Sequence, residues 1–170
     1  EKILIKSIVA INNSSGDASN YNGFLYLGLM ISADDNKPYL LEYNCRLGDP
    51  ETQNLMMYLD NNNVDFLDLI GFDNSKYPDN FNLTFIDQNK YEGFCCTVVL
   101  AADGYPSNPQ KDFYLDLSEI DEIENLKIFH AGTKISNGSI KVTGGRILSV
   151  NTCCEKKQDA IDLAYENIRK

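Results

Sequence analysis

Three residues in the run Leu41-Glu42-Tyr43-Asn44-Cys45-Arg46 carry the clearest chemical signal in the chain. Alternate residues of a β-strand share one face, so Glu42, Asn44 and Arg46 are expected to align on one side, with Tyr43 and Cys45 on the other. A carboxylate and an amide oxygen form a hard-oxygen pair suited to magnesium, which keeps further positions for water and phosphate oxygens. A guanidinium one step beyond can grip a phosphate or carboxylate through two parallel hydrogen bonds. The set suits a metal-bound polyphosphate beside an anionic acceptor. The same spacing also describes an ordinary edge strand with outward polar side chains.

The elements that must position these groups are legible nearby. Gly23–Ile31 reads as a buried strand, Asp34-Asp35-Asn36-Lys37 as a turn and Pro38–Asn44 as a second strand, which together make a hairpin. Gly48-Asp49-Pro50 then opens a helix with Asp49 as cap, Pro50 in the first helical position and Glu51 in the first turn. Its positive N-terminal dipole is expected to point near the same place. A further helix is expected over Val64–Ile70. Residues 72–82 hold Gly, Asp, Asn, Ser and Pro without periodicity and read as a linker, so the units are placed at 1–78 and 79–170. The second unit predicts strands at Phe94–Ala102, Lys127–Ala131, Lys134–Ser136, Ile140–Thr143 and Arg146–Thr152. A short helix is expected from Ser118 to Glu124, and Asn137-Gly138 is a strong hairpin signal. Ile161, Ala164, Tyr165 and Ile168 recur at helical spacing and define a C-terminal helix packed on the sheet. The fold class is α+β.

Composition removes several alternatives. Twenty-five Asp and Glu against 15 Lys and Arg give a formal charge of −10, with Arg at only three positions, 46, 146 and 169. A nucleic-acid face needs clustered cations, so no nucleic-acid partner is expected. Any anionic substrate must be held by metal, local dipoles or a placed Arg rather than by the overall field. The longest apolar stretch, Phe94–Ala102, is far short of the roughly 20 residues of a membrane span. The five cysteines include the vicinal pairs 95/96 and 153/154, without Cys-x-x-Cys spacing, and His130 is the only histidine. The cysteines read as small buried thiols of a reducing cytoplasm rather than a zinc site. His130 reads first as a hydrogen-bonded structural residue, and Gly144-Gly145-Arg146 as a tight turn.

The run continues as Leu47-Gly48-Asp49-Pro50-Glu51-Thr52-Gln53. With Gly23–Ile31, Ala101-Ala102-Asp103-Gly104-Tyr105-Pro106, Phe129-His130-Ala131-Gly132-Thr133 and Thr143-Gly144-Gly145-Arg146, it closely resembles the phosphoribosylamine–glycine ligase family of ATP-grasp enzymes. The blocks occur in the family's order from about residue 20 onward. The resemblance implies that 1–78 is the C-terminal part of an ATP-grasp domain and 79–170 a small mixed β-sheet domain with its packed C-terminal helix. It implies an ATP-dependent ligase of purine synthesis that joins glycine to phosphoribosylamine through a glycyl phosphate. ATP is then the co-substrate, and Glu42 and Asn44 are ligands of magnesium or manganese. Arg46 is implied to bind the acyl or transferred phosphate as the catalytic residue. Asp49 and Glu51 are candidates, with Arg46, for binding substrate; for the first two, cap and first-turn acid are equally good readings. An acidic metal ligand common on the preceding strand in other ATP-grasp ligases would fall near Gly28, which cannot ligate. The resemblance covers only the C-terminal part of such an enzyme: no glycine-rich phosphate loop occurs, and Asn13-Ser14-Ser15-Gly16-Asp17 is a plain polar loop. The chain is therefore expected to be inactive alone, to need the N-terminal portion of the enzyme as partner, and to expose apolar surface that meets it. Two alternatives stand beside this reading, another ATP-grasp ligase and a non-catalytic binding or interaction fragment.

Overall fold

The computed structural model describes residues 2–14, 23–66, 92–120 and 123–170, which fall into two units, Glu1–Asp49 and Pro50–Lys170. The linker over 72–82, the boundary at 78/79 and residues 67–70 of the expected second helix lie outside the described residues.

The first unit holds helix α1 (Lys2–Ser14) and an antiparallel hairpin of β1 (Tyr26–Ile31) and β2 (Pro38–Asn44). The hairpin forms because Ser32 and Lys37 pair through the backbone and Asn36 takes the left-handed conformation, φ 52°, that Asn tolerates. The Ser7 and Tyr43 hydroxyls lie 2.7 Å apart, tying α1 to the face of β2 opposite Glu42. No element is predicted from sequence over residues 2–12. Two blocks of apolar residues, 3–5 and 8–11, are too continuous for periodicity to separate helix from strand. The polar run expected as a loop from Asn13 instead begins inside the helix, where the Ser14 hydroxyl donates to the Ile11 carbonyl.

The second unit is built on a sheet of β3 (Phe94–Ala101), β8 (Arg146–Cys154) and β5 (Leu126–His130), with β8 in the centre. A second sheet orders β4 (Tyr114–Leu115), β7 (Ser139–Val142) and β6 (Thr133–Ser136). Each of these pairings is antiparallel. Asn137 and Gly138 both have positive φ, 53° and 78°, as a two-residue hairpin of that composition requires. The chain crosses between the sheets at Gly132 and again at Gly144. A Cβ on Gly132 would stand 2.6 Å from the Gly144 Cα, so only glycine lets the two crossings touch.

Alternation divides the main sheet. Cys96, Val98, Leu100, Leu148 and Val150 join Ala164 and Ile168 of the C-terminal helix α3 (Lys157–Ile168) in one apolar cluster. Helix α2 (Glu51–Asn61) packs against β3 and β8 with Met57 and Leu59 buried. The Asn54 side-chain amide donates to the Cys95 carbonyl, 3.0 Å. The Thr152 hydroxyl donates to the Ala160 carbonyl at 2.6 Å, fixing α3 to the central strand.

Three expectations are corrected. Over Ser118–Ile120 the chain makes a turn, not a helix. The Asp116 carboxylate takes the Ser118 amide, 2.9 Å, offering the backbone a local partner in place of a helical one. Helix α2 starts one residue late: Pro50 holds the capping position at φ −98°, ψ 14°, and no side chain caps it, so Asp49 is not its cap. Cys95 and Cys153, expected as thiols, are joined in a disulfide. The vicinal pairs indeed point to opposite faces. Register instead sets Cys95 directly across from Cys153, with Cα atoms 4.1 Å apart.

Candidate functional site

The Glu42–Asn44 pair is positioned by the hairpin register. Gly28 stands opposite Glu42 and Tyr26 opposite Asn44, with an irregularity in the pairing just after Gly28. A Cβ at Gly28 would lie 2.9 Å from the Glu42 Cγ. The missing side chain is therefore what lets Glu42 lie across β1. Asn44 Nδ2 donates to Glu42 Oε1 at 3.1 Å, so the two side chains share a face and meet. Rotating the amide would turn its oxygen toward the same space. With the amide so rotated, the carboxylate and the amide oxygen would fit a hard divalent cation that keeps most of its shell for water and phosphate. No group of three or more His, Cys, Asp or Glu positioned to hold a metal occurs among the described residues.

Arg46 departs from the alternation. The strand ends at Asn44, and Arg46 lies in the bend beyond it. Its Nη1 donates to the Leu47 carbonyl, 2.9 Å, and the side chain is exposed. Asp49 closes the first unit, while Glu51 is the first residue of α2 in the second. Both are exposed and both make interactions within the protein.

A cleft of about 420 Å³ within the second unit is lined by Pro50, Glu51, Asn54, Leu55, Tyr58 and Thr97. Of these, only Pro50 and Glu51 are singled out by the sequence motifs. The signal that could have found the others is helical spacing, since 51, 54, 55 and 58 recur at i, i+3, i+4 and i+7 on one face of α2. His130 Nδ1 and the Thr133 hydroxyl are 2.9 Å apart, which satisfies the histidine locally.

A family model described as phosphoribosylglycinamide synthetase, ATP-grasp (A) domain, matches residues 1–52, and one described as phosphoribosylglycinamide synthetase, C domain, matches residues 95–170. A phosphoribosylamine–glycine ligase from Brucella melitensis is 39% identical over 150 residues, covering 88% of this chain and 33% of the relative. One from Clostridium acetobutylicum is 37% identical over 170 residues, covering all of this chain and 37% of the relative. The chain thus spans about a third of the length of these relatives. A crystal structure of phosphoribosylamine–glycine ligase from Thermotoga maritima superposes with a TM-score of 0.69 at 38% identity, over 89% of this chain and 34% of that one.

Proposed function

The chain belongs to the phosphoribosylglycinamide synthetase family, and from that membership we propose that it forms part of an ATP-dependent ligase joining glycine to 5-phosphoribosylamine in purine synthesis. The observation that carries this reading is the order of the two domain matches, the A domain at 1–52 and the C domain at 95–170, in one chain. In the proposed reaction the glycine carboxylate takes the γ-phosphoryl group of ATP and ADP leaves. The amine of phosphoribosylamine then attacks the acyl carbon, forming the amide and releasing phosphate and the amine's proton.

Glu42 and Asn44 would hold magnesium or manganese, whose chemistry when bound is to neutralise charge on the phosphoryl group. Arg46 binds the acyl phosphate or the departing phosphate once its guanidinium turns from the Leu47 carbonyl, an exchange of one hydrogen bond for a charge-assisted pair. Asp49 and Glu51 orient the amine substrate by accepting its N–H groups. The nucleotide's remaining contacts belong to the part of the enzyme outside this chain. That part is the proposed partner, so the chain alone is inactive, and the enzyme works in the cytoplasm.

Assay of the complete ligase with glycine, phosphoribosylamine and ATP tests the reading, with glycinamide ribonucleotide, ADP and phosphate formed in equal amounts. Glu42→Ala is expected to lower turnover by roughly a hundredfold or more through lost metal placement. Near-normal turnover would remove Glu42 from the metal site. Activity only with another acid in place of glycine would overturn the substrate assignment.

A further inference from the structure

The cleft along α2 mixes hydrogen-bonding groups with an apolar wall. Its volume of about 420 Å³ lies in the usual range for small-molecule sites, roughly 300–1,000 Å³. Two of its polar groups are held in place. The Asn54 NH2 group is committed to the Cys95 carbonyl at 3.0 Å. The Thr97 hydroxyl donates to Asn151 Oδ1 at 2.9 Å, which leaves the Thr97 oxygen as an acceptor. Asn151 is itself fully buried, and its amide donates to Lys127 and Ser149, so Thr97 is anchored to a fixed partner. Among the described residues no Lys or Arg lines the cleft. Against that lining a phosphate or carboxylate group would find no countercharge and would meet Glu51 instead. A polyhydroxyl ring finds what it needs: acceptors in Glu51 and Thr97, a phenol in Tyr58, and an apolar surface from Leu55 and Pro50 for its carbon face.

We propose that this cleft binds the pentose ring of the amine substrate, with its hydroxyls on Glu51, Tyr58 and Thr97. The identity of the amine rests on the ligase reading above; the preference for a neutral sugar rests on the cleft itself. In the complete ligase, Tyr58→Phe is expected to raise KM for phosphoribosylamine about tenfold, the loss of one hydrogen bond. kcat and the KM values for glycine and ATP should stay near wild type. On this chain, ribose 5-phosphate should shift the NMR signals of the Asn54 side-chain amide and of Thr97, while inorganic phosphate and glycine should not. An unchanged KM for the amine, a raised KM for glycine, or ribose 5-phosphate shifts confined to other residues would each overturn the assignment. A wild-type enzyme that makes no product would sink the ligase reading instead, and the ribose 5-phosphate titration would still judge the cleft.

Discussion

Strands β2 and β8 are both rich in residues that favour sheets, yet they lead opposite lives. Seven consecutive residues of β8, Ile147–Cys153, are buried, and Val150 is 1% exposed. In β2 six of seven residues are exposed, and Leu41 is 63% exposed. The central strand has a partner on each edge and helices packed against it. The hairpin strand has one partner among the described residues, and a two-stranded sheet is marginal in water. Leu29, Met30, Ile31, Tyr39, Leu40 and Tyr43 join Leu41 in exposure. Apolar surface on this scale has the character of a docking face rather than of a core. The difference teaches that the second unit carries its own stability, whereas the hairpin, which bears Glu42 and Asn44, is proposed to be completed by the rest of the ligase.

Matched substitutions should break this symmetry of composition. Val150→Asp places an unpaired charge in a sealed site and should cost more than about 4 kcal/mol, unfolding the second unit. Circular dichroism and amide dispersion will show it. Cys95→Ser with Cys153→Ser removes a link between residues 58 apart in sequence and should cost about 3 kcal/mol by thermal unfolding. Alkylation of the unreduced protein should then spare Cys95 and Cys153 in the parent chain. Exposed Cys45 should react first, because burial pushes the Cys96 thiol up, and burial and then the Asp159 charge push that of Cys154 up. Asn151→Ala removes the buried amide, leaves Thr97, Lys127 and Ser149 without its hydrogen bonds, and should cost about 2 kcal/mol. Leu41→Asp, the counterpart of Val150→Asp, should change the stability of this chain by no more than about 0.5 kcal/mol. A loss as large as that of Val150→Asp would mean that the hairpin is a core in its own right.

The sequence was most informative where local chemistry decides. The turn at Asn36, the hairpin at Asn137-Gly138, the limits of β2 and the buried stripe of α3 all follow from short-range rules. Even there, Tyr165 of the expected stripe is exposed while Ala160 and Asn167 are buried, because the sheet meets the helix roughly a quarter turn around from the centre of that stripe. Other features depend on distant partners. Strand β4, two residues long, exists only because β7 lies beside it. The Cys95–Cys153 link needs the β3–β8 register. In the site, alternation brings Glu42 and Asn44 together but stops at the strand end, so Arg46 follows its own backbone. Tyr58 and Thr97 share a cleft through packing of α2 on β3, which no single run of residues announces.

The finest distinction between the units concerns two ion pairs. Asp35 and Lys37 are two residues apart in the hairpin turn, 3.0 Å between charges; Asp112 and Lys141, at 2.8 Å, join the segment before β4 to β7. The Lys37 ammonium holds the Asp35 carboxyl below its ordinary 3.8, and Lys141 does the same for Asp112. A carboxylate whose folded pKa is depressed adds stability that is fully present above about 3.8 and fades as pH falls through the lower folded value. Asp112 in turn raises the Lys141 ammonium above 10.5, so that half of the pair's contribution fades only in strong alkali. Lys37 and Asp112 face solvent and Asp35 and Lys141 do so in part, so both effects are small and weaken with salt. They differ in reach. Asp112 sits at φ 67°, a conformation that Asn also accepts, so Asp112→Asn removes charge without straining the backbone. Its amide donates to the Val142 carbonyl, and the Val142 amide to Phe113. Hydrogen exchange at Val142 should therefore quicken in Asp112→Asn at pH 7 and match the parent once acid has protonated Asp112. Asp35→Asn should leave exchange throughout the second unit untouched, because its pair spans nothing but a turn.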